Sequence, residues 1–275
     1  MTQFPIEAHV NVRAIGSSLI REVANAGLGK RDVMPFWFGE PDEVTPKFIR
    51  EAAHAAMEAG DTFYTHNYGI PELRQALARY VGGLHRPVSP DDIIVTNSGM
   101  SALMLISQAL VGPGDRVVAV TPLWPNITSA PRLMGAEIVR IALRFERRNH
   151  DQWQWRLDVE LLTALTPGTR ALYLNSPNNP TGWTIDREDQ SAILDHCRKH
   201  GIWIIADDAY ERIYFEPGKA KAGYRTACAP SFLDLAERDE RVIGANTFSK
   251  SWLMTGWRLG WLVAPAALVP EIAKL

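Results

Sequence analysis

The chain has 275 residues, 46% hydrophobic and 22% charged, and its 29 basic and 31 acidic side chains leave a net charge of −2. That balance gives no basic face for nucleic acid and no like-charged tail, while the length suffices for one large or two modest globular domains. Cys197 and Cys228 form no CxxC pair, which argues against a zinc or disulfide framework and for a reducing, cytoplasmic setting.

Met1 to Val10 lacks the charged and apolar regions of a signal peptide. The most apolar run, Ala102 to Val111, contains Ser107 and Gln108 and is too short to cross a bilayer. No membrane partner is expected. Residues 1–34 read as an arm with a short helix ended by Gly27 and Gly29. Val33 to Phe38 is apolar and reads as a strand or extended segment running into the turn Gly39-Glu40-Pro41-Asp42. Pro46 opens a helix with Ile49, Ala52, Ala53, Ala56 and Met57 on one face and Gly60 as its stop. After a polar, aromatic loop from Tyr64 to Ile70, Pro71 starts a second amphipathic helix carrying Leu73, Leu77, Tyr80, Val81 and Leu84.

Asp91 to Thr96 reads as a strand, Asn97-Ser98-Gly99 as a tight turn, and Met100 to Val111 as a buried helix. Strand, small-residue turn and helix together aim backbone N–H groups at an anion; the same residues also suit a plain strand-to-helix turn. Val117 to Val120 is a buried strand leading to Thr121-Pro122-Leu123-Trp124, with a helix following through Met134. Glu137 to Leu143 is a strand, and residues 144–156 form a polar excursion carrying Trp153 and Trp155. Asp158 caps a short helix to Leu165, and Arg170 to Leu174 is again a strand.

Residues 175–182 are dense in turn formers, and two asparagines before Pro180 are more than a turn needs. Asp186 caps a helix with Ile193, Leu194 and Cys197 turned inward, ending near Gly201. Ile202 to Ile205 is a core strand that delivers Asp207-Asp208-Ala209-Tyr210. An acid straight after a core strand is costly unless paired with a cation or hydrogen-bonded; a helix cap is the competing role. Residues 216–230 are a second excursion, Arg241 to Ala245 a strand, and Leu259 to Val263 the last strand.

Continuous apolar strands alternating with helices imply a three-layer α/β fold, its mostly parallel sheet covered by helices on both faces. Ligands of such sheets lie beyond the strands' carboxyl ends. That singles out the loops at 97–100, 122–126, 175–182, 207–210 and 247–250.

The last loop holds Lys250 between Ser249 and Ser251, eight residues before Arg258 in a Gly- and Trp-rich run. A lysine held among apolar groups loses its proton more readily, and its neutral amine attacks carbonyls to form a Schiff base. A lysine that merely extends its charge to solvent from a strand end is the other reading.

Asn-Asn-Pro-Thr-Gly at 178–182, Asp-Asp-Ala-Tyr at 207–210, and Ser-Lys-Ser followed by Gly-Trp-Arg-Leu-Gly-Trp through 261 resemble the class I/II aminotransferases, fold type I pyridoxal-phosphate enzymes. Gly39-Glu40-Pro41-Asp42 and Tyr64 with Gly69 to Arg74 fit the same family, so the resemblance runs from about residue 36 to the end. It implies a homodimer that moves an amino group between an L-amino acid and a 2-oxo acid, in ping-pong fashion, through a Schiff base on Lys250. A lyase or decarboxylase of the same fold, or a non-catalytic cofactor-binding domain, shares these residues.

By resemblance, Lys250 carries the pyridoxal 5'-phosphate and then moves the substrate proton. Asp207 pairs with the ring nitrogen, and Asn179 and Tyr210 with the ring's phenolic oxygen. Arg258, Thr247, Ser98, Gly99 and Met100 hold the phosphate, and Tyr64 reaches the phosphate of the neighbouring subunit. Trp124 stacks on the ring, with a place in the core as its alternative role. Gly39 and Asn179 face the substrate. The resemblance divides the chain into an arm and small-domain segment, 1–45, and a large cofactor domain, 46–275. It also leads one to expect a further C-terminal part, with an arginine for the substrate carboxylate that no residue here matches.

Overall fold

The computed structural model describes residues 6–158, 160–215 and 228–275. The expected excursion at 216–230 therefore lies mostly outside the described residues.

Seven strands form the central sheet: β1 (Ile93–Thr96), β2 (Arg116–Thr121), β3 (Glu137–Ala142), β6 (Thr169–Asn175), β7 (Trp203–Asp207), β8 (Val242–Thr247) and β9 (Gly260–Val263). Their order is β1-β9-β8-β7-β6-β2-β3. The pairs β3–β2, β2–β6, β6–β7 and β7–β8 are parallel, and β9 runs antiparallel to both its neighbours.

Alternate residues of each strand serve opposite faces. On one face Val118, Val120, Leu172, Leu174, Ile204 and Trp261 pack with Leu77 and Val81 of α4 (Pro71–Leu84) and with Ile193, Leu194 and Cys197 of α8 (Arg187–His200). On the other, Val117, Ala119, Ala171, Tyr173, Ile205 and Ile243 pack with Leu103, Ile106 and Leu110 of α5 (Gly99–Leu110). Ile127 of α6 (Pro125–Leu133) and Val269 and Ile272 of α9 (Val269–Ile272) join that second face. This is the expected three-layer fold, and no described helix is long and apolar enough to cross a membrane.

Three helices precede this core: α1 (Val10–Arg13), α2 (Leu19–Gly27) and α3 (Lys47–Glu58). Val33 to Phe38 departs from the expected strand. It forms turns, and Trp37 lies against α2, where a Cβ added to Gly27 would come within 2.5 Å of its ring. The excursion at 144–156 is an antiparallel hairpin of β4 (Arg144–Arg147) and β5 (Trp153–Arg156), followed by α7 (Glu160–Ala164).

One contact fixes the end of the sheet where the candidate site lies. Gly260 opens β9 beside the first turn of α5, and a Cβ there would stand 2.5 Å from Gly99 N and 2.6 Å from the Ser98 carbonyl carbon. Backbone cannot yield as a flexible side chain does, so Gly260→Ala is expected to cost about 2 kcal/mol or more in urea unfolding. Gly256→Ala, where a Cβ would meet nothing within 4 Å, should stay within about 0.5 kcal/mol of the parent.

Candidate active site

A cleft of about 1360 Å³ opens at the carboxyl ends of the parallel strands. Its wall includes Gly39, Gly99, Met100, Trp124, Asn179, Asp207, Tyr210, Thr247, Lys250 and Arg258, so the structure gathers ten of the twelve residues singled out by sequence. Ser98 is buried just behind the wall as the cap of α5, its Oγ accepting from Ser101 N at 3.1 Å. Tyr64 stands apart, fully exposed on the loop after α3.

Lys250 follows β8 and turns back across the cleft to donate from Nζ to the Gly39 carbonyl oxygen at 2.5 Å. Burial lowers its pKa, and nearby Arg258 adds to the shift, while Glu40 and Asp207 oppose it. Its Nζ also lies 5.6 Å from the centre of the Tyr210 ring. The solvent-directed alternative for Lys250 is thus not what the fold adopts.

Asp207 ends β7, and β6 and β8 flank it on either side. Its Oδ1 accepts from Ala209 N at 3.2 Å, so the capping role exists alongside any other. Burial pushes its carboxyl up to about 6, offset in part by that bond and by Lys250. An acid in this setting gains most from a cation brought into the cleft.

The turn after β6 is held by its own asparagines. Asn175 Oδ1 accepts from Asn179 N at 2.6 Å, and Asn178 Oδ1 accepts from Thr181 N at 3.1 Å and from Thr181 Oγ1 at 2.7 Å. Asn178 Nδ2 donates across to the Pro122 carbonyl at 3.2 Å. Asn179 is left facing the cleft, its Nδ2 donating to Tyr210 Oη at 3.3 Å.

The end of the cleft beside α5 is built from backbone and hydroxyls. Gly99 opens α5, where helix N–H groups lack partners within the helix. A Cβ on Gly99 would lie 3.1 Å from Thr247 Cβ, so the small residue keeps this corner open. Thr247 Oγ1 donates to Ser249 Oγ at 2.9 Å and accepts from Ser249 N at 3.1 Å, which orders the lysine loop. Arg258 adopts the left-handed conformation at φ 55° and donates from Nη1 to the Thr255 carbonyl at 2.5 Å. Trp124 is half-buried at the start of α6, where it lines the cleft and packs on the core.

Sequence reading missed the charges beneath this site. His85, at the end of α4, puts Nδ1 2.9 Å from Asp234 Oδ1 and Nε2 3.1 Å from Glu211 Oε2. Burial alone would lower its pKa, but bonds to Asp234, Cys228 and Glu211 outweigh that and raise it well above the usual value. Tyr80 Oη donates to Glu211 Oε1 at 3.0 Å, and Asp208 accepts from Ser231 Oγ at 2.7 Å. This network ties α4 to the loop that carries Asp207 and Tyr210. Of the two arm arginines that could serve a substrate carboxylate, Arg21 of α2 lines the cleft, whereas Arg13 pairs with Glu7 at 2.6 Å.

Residues 31–275 match the family model described as aminotransferase class I and II. Aspartate aminotransferase of Pyrococcus horikoshii is 35% identical over 265 residues, 96% of this chain and 64% of that protein. Arginine–pyruvate transaminase of Pseudomonas aeruginosa is 34% identical, over 86% of this chain and 57% of its own length. The crystal structure of aspartate aminotransferase from Thermotoga maritima superposes with a TM-score of 0.85 at 30% identity, covering 97% of this chain and 68% of that one. The chain spans roughly three fifths to two thirds of the length of the curated relatives it matches.

The position of Asp207 sets a pH dependence. Its folded pKa, about 6, is above the ordinary 3.8, so the folded state holds the proton more tightly. Stability from this group therefore falls as pH rises from about 4 through 6. In cofactor-free protein, Asp207→Asn should gain stability relative to the parent on going from pH 4.5 to 8, by about 2 kcal/mol in denaturant titrations. An equal difference at both pH values would show that Asp207 carries no such burial cost.

Proposed function

Because the chain belongs to the class I and II aminotransferases, we propose that it moves an amino group from an L-amino acid to a 2-oxo acid, with Lys250 as the amine that carries and transfers the proton. The family depends on pyridoxal 5'-phosphate. When bound, that group supplies an aldehyde to Lys250 and a cationic ring able to accept electrons from the substrate's Cα.

The residues present fit it. The cavity kept open by Gly99, with helix N–H groups, the Thr247 and Ser249 hydroxyls and the Arg258 guanidinium around it, suits a phosphate dianion. Asp207, buried and short of positive charge, suits a protonated ring nitrogen. The Asn179 amide and Tyr210 hydroxyl, already bonded to one another, suit an oxygen anion beside them. Met100 belongs with the phosphate end and Trp124 with the ring's face.

Lys250 has the properties a proton carrier needs. Burial lowers its pKa, so its amine gives up a proton more readily than a solvated lysine does. Gly39 O accepts from its Nζ, so displacing the lysine also frees a backbone group beside the incoming substrate. Arg21 is a further cation of the cleft wall. The first product leaves before the second substrate enters, which is a ping-pong order. Tyr64, exposed and outside its own cleft, serves the site of a second copy in a homodimer.

The observation that carries this reading is the convergence of Lys250, Asp207 and Arg258 on one cleft from two separate segments, the end of β7 and the connection between β8 and β9. Borohydride treatment of the cofactor-loaded chain, followed by peptide mapping, should place the reduced adduct on Lys250. An adduct at another lysine, or none, would sink the assignment.

A further inference from the structure

Three side chains of different chemistry converge without lining the cleft: His85 at the end of α4, Glu211 just after Tyr210, and Cys228. A ring nitrogen of His85, a carboxylate oxygen of Glu211 and Cys228 Sγ lie within 4.8 Å of one another. The His85 and Glu211 side chains are buried and Cys228 is half-buried, so the group is sealed except on the thiol's side.

Each buried member is held by its other polar atom. Asp234 Oδ1 takes His85 Nδ1 at 2.9 Å, and Arg187 donates to Asp234 Oδ2 at 2.9 Å. Tyr80 Oη donates to Glu211 Oε1 at 3.0 Å. His85 Nε2 and Glu211 Oε2 are left facing one another at 3.1 Å. Ala229 N donates to the Glu211 carbonyl at 2.8 Å, which sets Cys228 beside the pair. A carboxylate behind a histidine, with a further donor behind the second ligand, is how proteins orient the side chains that hold a metal. A histidine between two carboxylates is also a plain buried ion pair, but that reading leaves the thiol on its third side without a role.

Nitrogen, oxygen and sulfur donors in one set suit zinc, with water in a fourth position. At ordinary zinc bond lengths the three ligand atoms stand about 3.3–3.6 Å apart. His85 and Glu211 are already near that spacing. The thiol has to close by at most about 1.3 Å.

We propose that His85, Glu211 and Cys228 form a site for one zinc ion, supported from behind by Asp234 and Tyr80, although the cysteine spacing of the chain gave no reason to expect one. The ion takes the place of the proton that His85 Nε2 shares with Glu211, and the thiol proton of Cys228 leaves to solvent. Bound there, it joins α4 directly to the loop that carries Asp207 and Tyr210. All the parts come from within residues 80–234, and the inference is independent of the transamination reading.

The test titrates the purified chain, first stripped with a chelator, with zinc and with cobalt near neutral pH. Zinc should bind in calorimetry at one ion per chain, and cobalt should give a thiolate-to-metal charge-transfer band. Cys228→Ser should abolish that band, and Cys228→Ser and Glu211→Gln should each weaken zinc binding at least about 10-fold. Cys197→Ala, which removes the other, buried thiol, should change neither result. On the unaltered chain, one equivalent of zinc should slow alkylation of Cys228 by iodoacetamide, followed by peptide mass, at least about 10-fold. Absence of stoichiometric binding, zinc affinity undiminished in Cys228→Ser, or alkylation of Cys228 at one rate with and without zinc would overturn the proposal and leave the group an ion pair beside a thiol.

Discussion

Two neighbouring carboxylates at the end of β7 set the terms for this part of the molecule. Asp207 and Asp208 are both buried, and burial pushes the first up to about 6 and the second up to about 7. Adjacent anions in a core are tolerable only if each finds its own compensation. Asp208 turns to Ser231 and to the field of His85, whose ring is clamped between Glu211 and Asp234. Asp207 faces the cleft instead, with Lys250 as the nearest mobile cation. The protein thus keeps one acid satisfied internally and holds the other ready for a charge from outside.

The other parts of the site follow from holding that acid in place. Parallel pairing of β6, β7 and β8 brings Asn175, Asp207 and Ala245 into register, so three loops leave the sheet at one level. Gly260 lets the start of α5 come against β9, which brings the helix N-terminus to the same level. Lys250 gains its lowered pKa from burial in the resulting cleft, and Arg258 beside it adds to the effect. In the proposed chemistry these are one arrangement: Asp207 would hold the ring nitrogen, Arg258 the phosphate, and Lys250 would give up its proton.

Much of this was legible in the chain because it is written locally. Strand and helix periods, Pro71, Gly60 and the Asp186 cap are short-range signals, and each falls within a few residues of the observed boundaries. The loops after the strands could be named because a parallel sheet dictates where ligands lie. What was illegible depends on partners far apart in sequence. Val33 to Phe38 has a strand's composition, yet no sheet edge meets it, and Trp37 packs on Gly27 instead. The β4–β5 hairpin was hidden by Arg144, Arg147 and Arg148, since its stabilising contact, Phe145 opposite Trp155, exists only once the strands pair. No pattern within β9 announces its antiparallel direction. His85, Glu211 and Asp234 are unremarkable singly and become a network only through the fold.

The central claim is that Asp207 is ionised against a protonated ring nitrogen. The most direct measurement is the nitrogen chemical shift of pyridoxal phosphate, labelled with ¹⁵N in the ring and bound to the parent chain and to Asp207→Asn at pH 8. The account requires a protonated pyridine nitrogen in the parent and a neutral one in the variant. A neutral nitrogen in the parent, or the same protonated signal in both, would contradict it.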